Sequence, residues 1–542
     1  MIFHILTHKE VVVVSLNLKL RTIILFTLFV WITAFSQIVI SHESGFYDHP
    51  IKVEITSTLN GQIFFTTNGS EPKPGNEGTE EYSGPIIVSE RKDNVLMYIQ
   101  TAPELWVKPE SEFKKATVLR IIEVVDGKIT DSTVRTYFIG IKHTLPVVSI
   151  IVEPGDLFDY EKGIYVPGKF FDPTNPLPLW TGNYYQKGSE WERRAVVEYL
   201  ENGELKYRTD VGLRIHGEFT RSFPVKSLRL YARNKEGEFT YPFFGRKGYK
   251  KLLLRNSGND WDAIYMRDAV IQNVFKKLNF DTQDSYPVIH YINGEYWGVT
   301  YLMEYYDQRY LQVKHGVSEK NTVIINYDLT IQDGKEGDQG SFVQLLNFVK
   351  QNDLSKPENY QIVENAIDID NFIDFKISEI IAANTDWPSN NERMWRVLKP
   401  ENTSKGDGKW RWMMYDMDLG FWQPEHNTLK VALYGDPNVP WTMDENATIL
   451  LRKLLENEEF KKKFIERFDY ILNVVFEENR VIGIIDKYAD TLRAEINQHS
   501  LRWGKPDIST WEEGVEWLKE FVRQRPSYVQ QYLKEVLDSR MK

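Results

Sequence analysis

Two aspartates one residue apart close the apolar stretch WRWMMYDMDLGFW, residues 410–422. Asp416 and Asp418 follow what reads as a strand from Lys409 to Tyr415. In a regular strand the two would share a face, because side chains repeat every second residue. Carboxylates that close repel one another unless a cation or a proton stands between them. A divalent metal answers that need: Mg²⁺, or Mn²⁺ in its place, prefers hard oxygen and takes one or two carboxylates together with substrate phosphates.

A second stretch, NTDWPSNNERMWR at 384–396, follows the apolar run FIDFKISEIIAAN. Pro388 forbids a helix from continuing, which puts Asp386, Asn390 and Asn391 on a loop just beyond its end. An Asp followed four or five residues later by Asn, then a strand, then the Asp of a second motif is the order protein kinases use for phosphoryl transfer. There an Asp handles the acceptor hydroxyl, an Asn binds metal, and a downstream Asp holds the metal on the phosphates. Asp418-Leu419-Gly420 is a variant of the kinase Asp-Phe-Gly triplet, although no His-Arg-Asp occurs.

A third stretch, VGLRIHGEFTRSFPVKSLRLYAR at 211–233, scans as two strands around a loop of Gly, Thr, Ser and Arg. Lys226 shares its face with Leu228 and Leu230, so a charge is aimed at an apolar side and wants an anionic partner. Nucleotide phosphates would supply one, with Arg221, Ser222 and loop amides helping to cradle it. Alternatively Lys226 lies at the strand start and reaches water. The last stretch, YPVIHYINGEYWGVTYLMEYYDQRYL at 286–311, reads as a hairpin through Asn293-Gly294 and a strand leading to Glu304. Glu304 is expected either to pair with Lys226 or to cap the helix that follows.

Absences narrow the field. There is no phosphate loop of the GxxxxGK[ST] kind, no HExxH helix and no G-x-S-x-G elbow. The chain has no cysteine, which excludes thiol catalysis and thiolate metal sites. A net charge of −11 without a long basic run argues against nucleic acid as a partner. Near the N-terminus, KLRTIILFTLFVWITAFSQ has the order of an export signal: basic residues, an apolar run, then small residues. A membrane anchor is the alternative there. An exported chain without disulfides, bacterial in style, must stand on its hydrophobic cores.

The elements that must position these residues fall into regions. At 542 residues, two or three domains are expected. From about Ser41 to Phe138, IKVEITS, GQIFFTTNGSEP, GPIIVSE, VLMYIQTA, ATVLRIIEVVDGK and STVRTYFIG read as strands of an all-β sandwich. After HTLPVVSIIVEP, strands such as AVVEYL, VGLRIHG and KSLRLYAR mix with helices, including WDAIYMRDAVIQNVFKKLN. The last hundred residues have the apolar period of helices packed on this α+β part.

The sandwich stretches SGFYDHPIKVEI, IFFTTNGSEP and YSGPIIV resemble the chitobiase/hexosaminidase C-terminal type of domain, with Asn68 where Asp is usual. The rest resembles the spore coat protein H (CotH) kinase family, in one order from about 145 to 535. The matching blocks are LPVVSI at 145–150, GIYVPG at 163–168, WERRAVVEYL at 191–200, LRIHGEFTRSFPVKSLRL at 213–230, LLRNSGNDWDAIYMRDA at 253–269, NGEYWGVTYLMEYYD at 293–307, NTDWPSNNERMWR and YDMDLGFW. The resemblance implies an atypical protein-kinase-like fold and Mg²⁺/ATP-dependent phosphorylation of Ser or Thr on exported proteins. It makes Asp386 the catalytic-loop Asp, Asn391 or Asn390 its neighbouring Asn, Asp416 or Asp418 the metal Asp, and Lys226 the nucleotide lysine. The family's usual phosphate-loop glycine is kept as Gly217, with two departures from the pattern: Glu218 and Phe219 replace small polar residues, and Val225 stands where a second Lys is common.

The resulting expectation is α+β: residues 1–38 an export signal or anchor, 39–141 a β-sandwich, and 142–542 a CotH kinase-like domain, helical from about 445. Its function would be ATP-dependent phosphorylation of secreted or surface proteins, from a secreted, periplasmic or cell-surface location, with a glycan as possible partner of the sandwich. The alternative is a non-catalytic surface or glycan-associated binding protein. A metal-dependent hydrolase is a third reading, and the lack of a His-rich cluster counts against it.

Overall fold

The computed structural model describes residues 38–540, with side chains to residue 536. The segment read as an export signal therefore lies, but for its last residue, outside the described residues. Among these, no helix is long and apolar enough to cross a membrane.

The N-terminal part is built of short strands from Ile38–Ile40 to Ile86–Val88 and one long hairpin, Thr117–Val125 with Lys128–Ile139. Asp126 and Gly127 turn that hairpin, both with positive φ, as a two-residue loop matching strand twist requires. Val53, Ile55, Phe65, Leu119 and Ile121 fill its core. One expected strand is absent: VLMYIQTA forms a 3₁₀ turn at Leu96–Tyr98. Its backbone is taken by a carboxylate instead of a neighbouring strand, since Glu295 accepts from the N–H groups of Val95, Leu96 and Met97 at 2.7, 3.0 and 2.9 Å.

The next seven strands close on themselves. Val147–Val152, Arg193–Glu201, Glu204–His216, Ser227–Ala232, Lys251–Arg255, Glu295–Glu304 and Ser285–Ile292 pair in that ring order. The ring is completed by the parallel pairing of Ser285–Ile292 with Val147–Val152. Every other strand contact in it is antiparallel, so each strand alternates sides and the ring has an inner and an outer face. Leu213, Ile215, Leu228, Leu230 and Leu254 fill the inner side. Gly212, Arg214 and His216, with Ser227, Arg229 and Tyr231, take the other. The hairpin from Ser285 to Glu304 turns through Asn293-Gly294, both left-handed, as expected.

Below the ring lie a four-stranded sheet and the helices, making the whole α+β. The sheet runs Ile331–Asp333, Thr322–Asn326, Arg393–Val397, Arg411–Met413. Helix Ile369–Ala382 passes behind it, buried nearly throughout. Buried Lys376 in that helix bonds Glu392 at 2.7 and 2.9 Å, and Glu392 also accepts from the indoles of Trp387 and Trp412 at 2.9 and 2.7 Å. A buried pair of this kind holds its charges only because every oxygen is engaged. The C-terminal part is helical: Glu445–Leu454, Glu458–Tyr470, Glu478–Trp503 and Ile508–Arg540. The 447–476 stretch, continuous by period, is two helices because Asn457 caps the second through Phe460 N.

Glu295 joins the sandwich to the ring by those three amides and by an ion pair with buried Lys115 at 3.4 Å. Glu295→Ala would leave three amides without their acceptor and the buried Lys115 ammonium with the Asp93 carbonyl, at 3.3 Å, in place of its ion pair. It is expected to cost about 3–5 kcal/mol, the scale of breaking a buried charged contact, read from urea unfolding followed by tryptophan fluorescence.

Candidate active site

The outer face of the ring looks down on the loops of the lower half across a cleft of about 890 Å³. Arg214, His216, Arg229, Tyr231 and Arg255 line it from above; Asp386, Asn390, Asn391, Arg393, Asp416 and Asp418 line it from below.

Strand pairing brings the two lower loops together. Arg393 stands opposite Met413, so the end of the Asp386 loop and the start of the Asp416 loop leave the sheet side by side. Asn391 donates from Nδ2 to an Asp386 oxygen at 2.9 Å and points at the Asp416 carbonyl at 3.4 Å. Asn390 donates to the other Asp386 oxygen at 3.0 Å. The helix before this loop does not run to Pro388; it ends at Ala383, whose φ of 53° is left-handed. The strand before the aspartates is also shorter than expected. It stops at Met413, and Asp416 has a φ of 60°, so alternation along a strand no longer decides how the two carboxylates face.

A guanidinium decides it. Arg255, the last residue of its ring strand, donates from Nη2 to Asp416 at 2.5 Å and to Asp418 at 3.1 Å, with Asp268 3.6 Å from its Nε. Burial opposes the Arg255 charge, but Asp416, Asp268 and Asp418 outweigh it and raise its pKa. The two aspartates differ in kind. Asp418 is buried, accepts from Asn259 N at 2.7 Å, and lies against Gly258, where a Cβ would come within 1.8 Å of its Oδ2. Burial, and then the charge of Asp416, push its carboxyl well up. Asp416 is one-third exposed to the cleft. Burial opposes its charge, yet Arg255 holds its carboxyl below the usual range. Asp386 is raised, first by burial and then by Asp416, against the two amides that stabilise its charge.

Lys226 is not in the cleft. As the alternation requires, it points to the inner side with Leu228 and Leu230, and the cleft is on the other face. Its ammonium is sealed, donating to the carbonyls of Arg221 and Phe223 at 2.8 Å each and lying 4.2 Å from the Tyr184 ring centre. Burial, and then Arg221, lower its pKa well below the ordinary value. Glu304 neither meets Lys226 nor caps the next helix. It is buried, accepts from Tyr249 at 2.5 Å and Asp284 N at 2.9 Å, and pairs with Lys314 at 3.0 Å. Asp307 caps that helix through Tyr310 N. In the 217–223 loop, Arg221 and Gly217 line the cleft. Ser222 is buried and donates to the Phe219 carbonyl at 2.9 Å.

Arg229, on the other face of the same strand, lines the cleft. It stacks 4.3 Å from the Tyr305 ring centre and donates to Tyr231 OH at 3.1 Å and to His216 Nδ1 at 2.7 Å. Its Nε is buried without a partner, and no carboxylate pairs with it among the described residues. Burial, and then Arg229 itself, hold the His216 pKa well down, so that imidazole is neutral. Across the cleft, Arg393 stacks 3.9 Å from Tyr415 and donates to Asn326 at 3.1 Å, likewise without a carboxylate. Two preoriented guanidiniums, neither in an ion pair among the described residues, face a cleft that also holds Asp386 and Asp416, and the charge of Arg393 helps Arg255 to hold the Asp416 carboxyl down. Such a set can bind a polyanion and handle the proton of a hydroxyl beside it. Sequence reasoning gave Arg255 and Asp268 no role: they lie in the 253–269 block, where Arg255, Asp260, Asp262, Arg267 and Asp268 are mixed with Asn, Ser and Gly and follow no period.

The class that fold and site define is an α+β protein with a charged cleft between the ring and the loops below it. The family model described as CotH kinase protein matches residues 213–529, and the chain belongs to that family. The model described as chitobiase/beta-hexosaminidase C-terminal domain matches residues 42–102. A search of curated proteins found no match.

Under the Asp386 loop, Glu379 is fully buried and accepts from Asn384 Nδ2 at 3.1 Å. Burial is the main cause that lifts its pKa from 4.5 to about 8. The folded chain thus holds a proton that the unfolded chain has released. Stability from this group is fully present below pH 4.5 and is lost as pH rises through about 8. Urea unfolding across that window is expected to show Glu379→Gln losing less stability with rising pH than the parent. Parallel profiles would contradict the assignment.

Proposed function

We propose that the cleft transfers the γ-phosphoryl group of ATP to a Ser or Thr hydroxyl of a secreted or surface protein, on a protein-kinase-like arrangement. One observation carries this reading: Asp386, its two asparagines and Asp416 converge beside Arg393 and across the cleft from Arg229, two guanidiniums that make no ion pair among the described residues. Family membership supports it.

The donor set fits Mg²⁺. Asp416, exposed to the cleft, and the amide oxygens of Asn391 and Asn390 are hard ligands. Among the described residues no three His, Asp or Glu side chains gather to hold a metal, so a bound Mg²⁺ would draw its remaining ligands from water and phosphate. Bound Mg²⁺ would neutralise charge on the phosphates. Arg229 and Arg393 bind phosphate oxygens, and their fixed stacking means no reorganisation is needed as charge shifts. Asp386 accepts the proton of the acceptor hydroxyl as its oxygen bonds to the γ-phosphorus and the bond from that phosphorus to the β-bridging oxygen breaks. Asn390 and Asn391 hold the Asp386 carboxylate in place for that step. Arg221 and Gly217 shape the roof. Lys226 supports the roof from inside, and Glu304 steadies the segment after the ring.

The reading requires nucleotide outside the cytoplasm or action before export. A second reading, a binding protein without catalysis, is favoured by Arg255, whose guanidinium lies between the carboxylates where a metal was expected.

Incubation with γ-labelled ATP, Mg²⁺ and a generic acceptor protein tests the first reading. Asp416→Ala is expected to abolish transfer with the fold intact, and Asp386→Asn to lower the rate by about 100- to 10,000-fold, the usual range for a general base. Arg229→Met is expected to raise KM for ATP by about 10- to 100-fold, as losing a charged hydrogen bond does. Transfer retained by Asp416→Ala would overturn the assignment; no label on the parent chain would favour the second reading.

A further inference from the structure

The last helix reaches the site from behind. Four of its side chains, Trp517, Phe521, Arg525 and Tyr532, are spaced four, four and seven apart and so form one stripe. All four meet the backbone or ring of the segment that follows Asp416 and Asp418. Trp517 Nε1 donates to the Trp422 carbonyl at 3.1 Å. Phe521 stacks on Phe421 at 4.8 Å between ring centres. Arg525 donates to the carbonyls of Pro424 and His426 at 2.5 and 2.8 Å. Tyr532 donates to the carbonyl of Glu425.

Arg525 also reaches the other loop. It is fully buried and makes no ion pair among the described residues; its remaining nitrogens donate to the carbonyls of Ile380 and Ile381 at 2.6 and 3.1 Å. Those carbonyls lie in the last turn of the helix that delivers Asp386, where Ile380 also accepts from Ala383 N at 3.3 Å and a cation is favoured by the helix dipole. One guanidinium thus holds the root of the Asp386 loop and the tail of the Asp416 loop.

The loops need such a hold. Ala383 and Phe421 have φ of 53° and 52°, a conformation non-glycine residues adopt only when their surroundings impose it. Two amides tie them, Phe421 N to the Ala382 carbonyl at 2.8 Å and Thr385 N to the Leu419 carbonyl at 3.4 Å.

We propose that Arg525, with Trp517, Phe521 and Tyr532, forms a latch by which the C-terminal helix sets the separation of the Asp386 and Asp416 loops. These are positioning residues; none touches the cleft. Releasing the latch lets the two aspartates drift apart while nucleotide binding by Arg229 and Arg393 on the ring and sheet persists. The effect on turnover rests on the phosphoryl-transfer reading. The effect on the loops does not.

Hydrogen exchange of the intact chain, read by mass spectrometry, tests the latch without reference to activity. Arg525→Lys keeps the charge but loses the fork. It is expected to speed exchange at 384–391 and 416–426 by about tenfold, and Tyr532→Phe, which removes one hydroxyl at the helix edge, by about threefold. The ring strands should not change. In the transfer assay the same variants should lower kcat about tenfold with KM for ATP within about twofold. Exchange that rises evenly through the C-terminal helices, or stays unchanged at both loops in Tyr532→Phe, would overturn the proposal. Loop exchange that rises in a chain inactive from the start would keep the latch and sink the kinase reading alone.

Discussion

Where the ring overhangs the aspartate loop, the two halves of this molecule are joined by one buried charge. Arg255 ends a ring strand, and three carboxylates from the lower half, Asp416, Asp418 and Asp268, surround it. A buried cation removed from water is costly, and only close, hydrogen-bonded counter-charges offset that cost. The contact therefore ties the end of the ring strand to the Asp416 loop, over a hydrophobic core that the ring and the lower half share. Around it the bonding divides the aspartates: Asp418 is spent on holding Asn259 and Arg255, while Asp416 keeps a face toward the cleft. Asp268 reaches further, accepting from Met417 N at 2.8 Å, so the backbone between the two aspartates is pinned as well.

Strain at the site follows from this frame. Ala383, Asn391, Asp416 and Phe421 all have positive φ. Each such residue costs about 1–3 kcal/mol and persists only where the surroundings over-determine it. Those surroundings are the buried Lys376–Glu392 pair with its two indoles, the protonated Glu379 beneath Asn384, and the C-terminal helix behind Phe421. The rigid parts carry strain so that polar groups on two loops can converge.

Much of this is legible in the sequence where the signal is local. Asn293-Gly294 between apolar runs is a hairpin, the Asp386 loop follows its helix, and the aspartate pair follows a strand. The misreadings have one root. Alternation places Lys226 with Leu228 and Leu230, and the structure agrees; it does not say which face of the ring looks at the cleft. That depends on closure by Val147–Val152 against Ser285–Ile292, a pairing far apart in the chain. Once the ring closes, Lys226 is inside and Arg229 outside. Glu304 is likewise lost to the site because Lys314, one helix further on, reaches it first. Arg255 went unassigned because a single strand-end arginine carries no local pattern; its meaning comes from three carboxylates contributed by a helix and a distant loop.

The central claim is that the face of the ring bearing Arg229 and the loops bearing Asp386 and Asp416 enclose a nucleotide. Calorimetric titration of ATP into the purified 39–542 chain, once with Mg²⁺ and once with EDTA, tests it most directly. The account predicts one ATP bound per chain, more tightly with Mg²⁺ than without. No heat of binding under either condition, or binding indifferent to Mg²⁺, would contradict it.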